Sequence, residues 1–351
     1  MILRCQTGYE THLEREIRPL GLAPRNTGPG WLETNPVRDL APISDLCFAH
    51  TILLDPQVIA GENFTTLGAR VAEYFFATTR TERFAGPWPL IFDHAAGQDG
   101  LGRRADAVQK IFAELLRPRM SRVAKLATPA LLPRPGLQRG LFVYFTTFNK
   151  AHITRDLIHG GQRRMADDRL APSRSYLKIE EAYGILGHEP APGETIVDLG
   201  AAPGGWSYSA AKRGARVHAI DNGPLKSGAR DNPLITHHQQ DAFHFDPTAT
   251  AEPTLASGHS ALRTPHSAFP TDWLFCDLVE NPHHVLDNIV VPWLERRWCR
   301  RHIVNLKFGR VDPLALLKEV RTRIPAAKIR HLHHDREEFT LIGEIVPPAQ
   351  I

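Results

Sequence analysis

Apolar and polar positions divide the chain into two textures. Near the start, Ile2 and Leu3 begin a strand. Leu13, Ile17 and Leu20 then recur at helical spacing, and Gly21 stands where a helix C-terminal cap is expected. Residues 1–45 therefore read as a small α/β segment. From 46 to about 150 the pattern stays mixed. Leu67–Phe76 predicts a helix and Leu90–Phe92 a short strand. Arg103–Leu126 predicts one long helix, with Val108, Ile111, Phe112, Leu115 and Leu116 on its apolar side. Residues 127–140 hold three prolines and two glycines and read as a loop. Leu141–Phe148 is a strong strand signal. Residues 151–172, with Gly160-Gly161-Gln162-Arg163-Arg164, are expected to connect the two halves.

Beyond residue 172, strand patterns alternate with helix patterns, which implies a parallel, doubly wound sheet. The expected strands are Thr195–Leu199, Arg216–Ile220, Trp273–Cys276, His302–Leu306 and Phe339–Ile345, with a helix from about Gly205 to Arg213. Residues 247–270, rich in Thr, Ala, Ser and Pro, read as a surface excursion from the sheet. No internal repeat is evident.

Composition narrows the class. The chain's 351 residues allow two ordinary domains, and 42% apolar content supports a buried core. No apolar run reaches membrane-spanning length, and Arg4, Glu10, Glu14 and Arg15 interrupt any signal-peptide block. Cys5, Cys47, Cys276 and Cys299 form no CxxC pair, consistent with reduced thiols and a cytoplasmic setting. Several histidines cluster (His237-His238, His283-His284, and His331 with His333-His334). None has metal-site spacing, so no metal is expected and these histidines are assigned to the surface. Net charge is only +4, yet Arg103–Arg139 carries nine basic and two acidic residues. Arg296, Arg297, Arg300 and Arg301 form a second cluster. Such patches attract phosphate backbones, or are solvated helix faces.

The sharpest local signal is Asp198-Leu199-Gly200-Ala201-Ala202-Pro203-Gly204-Gly205-Trp206, where a strand ends, the chain turns on small residues and a helix opens. It is not a GxGxxG dinucleotide fingerprint. Pro203 cannot donate a backbone hydrogen bond, so the loop suits a carboxylate and a sulfonium better than a pyrophosphate. Asp221, at the end of the next strand, can accept hydrogen bonds from the ribose hydroxyls of a nucleoside cofactor, and Asp241 holds a similar position further on. Asp277 follows the strand Trp273–Cys276. Lys307 ends an apolar strand, Lys178 lies in a helix opened by Ser173-Arg174-Ser175, and Glu338 begins the last strand. A lysine ending an apolar strand is costly to bury unless acids pair with it.

In sequence order, the blocks APSRSYLKIEEAY, VDLGAAPGGWSY, AIDNGP, CDLVENP, NLK and HHDREE span most of 170–345. Together they resemble the FtsJ-like ribose 2′-O-methyltransferases, in particular those that act on a cytidine of bacterial 23S ribosomal RNA. The opening CQTGYETHLEREI is similar to that group's N-terminus. The resemblance implies a Rossmann-like, S-adenosylmethionine-dependent methyltransferase domain over 165–346. It implies a ferredoxin-like segment over 1–45 and a THUMP-like RNA-binding domain over 46–160. It implies a catalytic tetrad of Lys178, Asp277, Lys307 and Glu338, and cofactor contacts at Ser175, Ala202, Pro203, Gly204, Gly205, Asp221, Asp241 and Asp277. The implied partner is 23S rRNA or its precursor, engaged by a monomer with no membrane. The chain departs from the group's pattern in the middle of the THUMP-like region and at 247–270. In the implied reaction Lys307 is the general base, which requires its neutral form. The glycine loop and tetrad pattern do not distinguish this substrate from another RNA such as tRNA; a non-catalytic RNA-binding assembly factor is the other alternative, and the intact tetrad residues argue against it.

Overall fold

The computed structural model describes residues 1–131, 134–250 and 269–345, with 249–250 in backbone only. The excursion expected over 247–270 falls mainly on 251–268, outside the described residues. The chain forms two compact units, Met1–Gly161 and Gln162–Ile351.

In the first unit, a mixed sheet joins β1 (Ile2–Arg4), β2 (Asn26–Gly28), β3 (Trp31–Glu33), β4 (Thr51–Leu53), β5 (Gln57–Ala60), β6 (Trp88–His94), β7 (Ala127–Thr128), β8 (Gly136–Thr147) and β9 (Lys150–His159). Its order is β2-β3-β1-β4-β9-β8-β6-β7, with β5 also pairing β9. The sheet runs unbroken across residue 45, because β1 pairs with β4 and β4 with β9. Strand β8 reads as continuous hydrophobic sequence because both of its faces are covered. Leu141, Val143 and Phe145 pack under the helices Phe64–Thr78 and Leu101–Arg119. Phe142 and Tyr144 pack with Ile2, Trp31, Leu53 and Leu157 on the other side.

Three expectations for this unit need correction. The basic segment is two helices, Leu101–Arg119 and Ser121–Leu126. Met120 leaves the helical region (φ −142°, ψ 57°), and Pro118 in the preceding turn lacks a backbone donor. The buried stripe of the longer helix is Leu101, Ala105, Val108, Phe112 and Leu116, which leaves Leu115 exposed at its edge. Second, β8 already begins at Gly136, inside the expected 127–140 loop. Third, residues 150–159 do not connect the halves; they form β9, a central strand. Its polar side chains hid it. His152, Thr154, Arg155 and His159 are all buried. The Thr154 hydroxyl donates to Leu54 O at 2.6 Å, and Arg155 pairs with Glu82 at 2.9 Å while its Nε donates to Gly140 O.

The second unit holds β10 (Thr195–Leu199), β11 (Arg216–Ile220), β12 (Ile235–His238), β13 (Thr271–Cys276), β14 (Cys299–Lys307), β15 (Lys328–Arg330) and β16 (Glu338–Glu344). The order is β12-β11-β10-β13-β14-β16-β15. All neighbours from β12 to β14 are parallel, and β16 lies antiparallel between β14 and β15. The chain steps outward from β10 to β12 and returns to β13 on the other side of β10. This reversal opens a crevice at the carboxyl ends of β10 and β13. Ile196, Trp273, Phe275, Ile303 and Ile342 of the sheet pack against Ile179, Ala182 and Tyr183 of the helix Tyr176–Leu186 and against Trp206 and Ala210 of the helix Gly205–Ala211.

Two surface assignments are also corrected. Of the second basic cluster, Arg301 is buried and pairs with Glu194 (3.1 Å) and Glu344 (3.2 Å), and Arg300 pairs with Glu344 at 3.0 Å. Both stand near the amino end of β14, at the sheet edge opposite the crevice. His331 is fully buried, with Nε2 2.9 Å from Arg336 O. No described helix is long and apolar enough to cross a membrane. The four cysteines are free. Removing Arg301 takes the cation from Glu194 and one of two cations from Glu344, so Arg301→Ala is expected to cost about 3 kcal/mol in urea unfolding. Its RNA affinity should match wild type in filter binding; a folded variant that loses RNA binding would return Arg301 to the phosphate-contact class.

Candidate active site

The sheet builds the site from its strand ends. Asp221 follows β11, Asp277 follows β13, and Lys307 closes β14, all at the carboxyl edge. Asp241 comes three residues after the end of β12. Because β16 runs antiparallel, its first residue lies at that same edge, and Glu338 pairs in register with Lys307. The next residues on the same face, Asn305 and Thr340, also pair across the two strands.

The turn after β10 is tied down from beneath. Gly200 N and Ala201 N both donate to Ile220 O, at 3.0 and 3.2 Å. Gly200 (φ +79°) and Gly204 (φ +107°) take left-handed conformations that favour glycine, and the Ala202–Pro203 peptide is cis. Asp221 spans the turn: Oδ2 accepts from Ala202 N at 2.9 Å and Oδ1 from Gly223 N at 2.7 Å. A Cβ on Gly205 would fall 2.7 Å from Ser175 Oγ, so a bare glycine lets the turn approach the Ser173–Ser175 segment. There the two serine hydroxyls lie 2.7 Å apart, and Trp206 Nε1 donates to Ser175 O at 3.0 Å. Asp198, beneath the turn, accepts from Ser207 Oγ at 2.6 Å, and burial pushes its carboxyl up to about 7. Asp241 is half-exposed and accepts from Phe243 N at 2.9 Å.

The lysines and carboxylates form one chain of contacts. Lys307 Nζ lies 2.5 Å from Asp277 Oδ1 and 3.4 Å from Asp277 O. Lys178 Nζ lies 2.6 Å from Glu338 Oε1 and 4.0 Å from Asp277 Oδ2. Asp277 N donates to Leu199 O at 3.2 Å, which fixes this residue against the end of β10. Burial disfavours the Lys178 ammonium, yet Asp277, Asp335 and Glu338 outweigh that and raise its pKa above the ordinary lysine value. Burial likewise pushes Glu338 up, but the Lys178 charge and hydrogen bonds from Lys178 and Arg336 N bring it below its usual value.

The four expected tetrad residues thus meet in one cluster, and the loop residues Ala202–Gly205, Asp221 and Ser175 surround one turn. Asp241 stands on the loop after β12. Four participants were not singled out from sequence. Asn305 Nδ2 donates to Asp277 Oδ1 at 3.2 Å, and Thr340 Oγ1 lies 2.7 Å from Asn305 Oδ1 and 3.1 Å from Asp335 Oδ2. Asp335 is buried, and burial beside Glu338 raises it to about 8 despite Lys178. Glu181, fully buried, accepts from Arg163 N (3.0 Å) and His333 N (2.8 Å). Asp335 sits inside the motif HHDREE, and strand register offered the signal for Asn305 and Thr340. Glu181 is one of two adjacent acids on its helix.

This donor and acceptor set fits S-adenosylmethionine. Asp221 and Asp241 offer carboxylates at adjacent strand ends for hydroxyl and amino donors, and the glycine turn leaves the backbone approachable. Among the described residues no group of three or more His, Cys, Asp or Glu side chains could hold a metal ion.

Residues 171–294 match the model of the FtsJ-like methyltransferase family. A curated relative from Laribacter hongkongensis (strain HLHK9), named Ribosomal RNA large subunit methyltransferase M, is 30% identical over an alignment covering 97% of this chain and 95% of its own. A relative of the same name from Xylella fastidiosa (strain M12) is 28% identical over 97% of both chains. Another, from Halorhodospira halophila (strain DSM 244 / SL1), is 40% identical over 52% of this chain and 49% of its own. The 30% identity over nearly the full length of both chains places this chain in the ribosomal RNA large subunit methyltransferase M family, within the FtsJ-like methyltransferases.

Proposed function

We propose that the protein methylates the ribose 2′-hydroxyl of a cytidine in 23S ribosomal RNA, with Lys178, Asp277, Lys307 and Glu338 at the reacting atoms. The observation that carries this reading is the contact chain Lys307–Asp277–Lys178–Glu338 at the strand-order reversal. A ribose hydroxyl is a poor acid, so it must lose its proton as its oxygen attacks. Neutral Lys307 has two N–H bonds and one lone pair. Asp277 Oδ1 and O lie within reach of both hydrogens, which turns the lone pair away from Asp277 and toward an incoming hydroxyl. Lys178, held as an ammonium by Glu338, supplies a fixed positive charge for the developing alkoxide. S-adenosylmethionine, when bound, supplies an electrophilic methyl group and a neutral thioether leaving group. The ribose hydroxyl would pass its proton to Lys307 as its oxygen takes the methyl group that the bound cofactor would supply. Ser175, Ala202, Pro203, Gly204, Gly205, Asp221, Asp241 and Asp277 are assigned to cofactor binding.

The first unit is assigned to RNA capture, with 1–45 as its ferredoxin-like part and 46–160 as its THUMP-like part. Arg103, Lys110, Arg117, Arg122 and Lys125 support this: all are exposed, and none forms an ion pair among the described residues. Arg104 and Arg139 are engaged instead. Arg104 donates to Glu62 O at 2.7 Å and Arg139 pairs with Asp156 at 2.9 Å.

Purified protein with S-adenosylmethionine should place a single 2′-O-methyl cytidine in 23S rRNA transcripts. Modification confined to tRNA would replace the substrate assignment. Lys307→Ala should lower kcat by about 10²–10⁴-fold with cofactor affinity unchanged. Lys307→Arg should fail equally, since arginine keeps its proton; near-native turnover would make Lys307 a charge and not a base. Asp221→Ala should weaken S-adenosylmethionine binding by about 10–100-fold in calorimetry, and an unchanged affinity would move the ribose contact elsewhere. Replacing Arg103, Lys110 and Arg117 together by glutamine should flatten the salt dependence of RNA binding by roughly two phosphate contacts or more, and an identical slope would make this an ordinary solvated face.

A further inference from the structure

The hydrogens along the buried contacts behind Lys307 can be assigned one by one. Asp277 accepts an ion pair from Lys307, so its carboxylate carries no proton, and the Asn305 group facing it must be the amide NH2. Asn305 Oδ1 then points the other way and needs a donor, which Thr340 Oγ1 provides at 2.7 Å. Thr340 has a single hydroxyl hydrogen, now committed to Asn305. It presents only lone pairs to Asp335 Oδ2, 3.1 Å away. That contact is a hydrogen bond only if Asp335 donates, that is, if it is the neutral acid. Asn305 and Asp335 are 1% exposed and Thr340 is fully buried, so water cannot substitute for a missing partner.

We infer that Asp335, as a neutral acid, is a positioning residue for methyl transfer: through Thr340 and Asn305 it fixes the hydrogen-bond direction at Asp277 and so aims the Lys307 amine. This rests on the functional reading above. The surroundings of Asp335 favour the neutral form. Burial raises its pKa to about 8. The charged groups facing it are Lys178 and Glu181 from the helix Tyr176–Leu186 and Glu338 at the start of β16. Lys178 is committed to Glu338 at 2.6 Å, and Glu181 is itself pushed well above its usual value by burial. Leu332 N donates to Asp335 Oδ2 at 2.8 Å, which an acid hydroxyl oxygen can accept. When Asp335 ionises, it draws the Thr340 hydrogen to itself. Asn305 Oδ1 then faces a lone pair, the amide loses its orientation, and Asp277 loses a donor. Turnover should therefore fall on the alkaline side as Asp335 ionises.

The test compares kcat against pH for wild type, Asp335→Ala, Asp335→Asn, Thr340→Val and Thr340→Ser. Asparagine carries a permanent N–H toward Thr340 and mimics the neutral acid. Asp335→Ala and Thr340→Val should each lose about tenfold or more in kcat with S-adenosylmethionine affinity unchanged. Asp335→Asn should restore turnover and abolish the alkaline fall, and Thr340→Ser should restore turnover with the fall intact. An Asp335→Asn enzyme that keeps the alkaline fall overturns the inference, as does a Thr340→Val enzyme with wild-type kcat. Should Asp335→Asn not fold, the Thr340 pair decides. If wild type transfers no methyl group to RNA, the functional reading fails first. The assignment of Asp335 then rests on carbon-13 NMR of its carboxyl: ionisation near pH 8 supports the neutral acid, and ionisation below about pH 6 overturns it.

Discussion

One backbone pairing governs the catalytic unit: the antiparallel register that sets Glu338 opposite Lys307. In a purely parallel sheet, a strand's first residue lies at the edge away from the crevice. Reversing β16 brings an amino end to the carboxyl edge, so a carboxylate at the start of one strand meets a lysine at the end of another. The same register sets Thr340 opposite Asn305 one step inward. Lys307 and Glu338, with their buried neighbours Asn305 and Thr340, thus come from two adjacent strands on one face, and a one-residue slip would turn both pairs away.

The electrostatics follow from that crowding. Asp277, Asp335 and Glu338 all act on the charge of one enclosed ammonium, Lys178; Glu338 pairs with it at 2.6 Å and Asp277 lies 4.0 Å away. Burial raises both Glu181 and Asp335, and neither forms a direct ion pair among the described residues to offset it, so both are pushed toward their neutral forms. Neutral acids can donate hydrogen bonds, which carboxylates cannot, and this changes what the interior can orient.

The parallel sheet and the site residues at its strand ends were legible because each strand there is a short apolar run followed by a chemically informative residue: Asp221 after Ile220, Asp277 after Cys276, Lys307 after Leu306. What stayed hidden was polarity placed inside. Strand β9 carries two buried histidines and a buried arginine, so its sequence resembles a linker. Arg301 reads as part of a basic patch but serves two glutamates within the protein. Asp335 lies among charged neighbours, and only the fold reveals that it is enclosed. For Arg155 and Arg301 the missing information is the partner, supplied by residues distant in sequence.

The late position of β9 also bears on how the first unit comes into being. Strand β4, complete by residue 53, has β1 on one side and β9 on the other, and β5 hydrogen-bonds to β9. Until residues 150–159 have left the ribosome, β4 lacks one neighbour and the early strands present an unpaired edge. Nearly half of the chain must therefore be synthesised before this unit can close. During that interval the nascent protein is exposed to mispairing, and its folding is timed by elongation as much as by its own contacts.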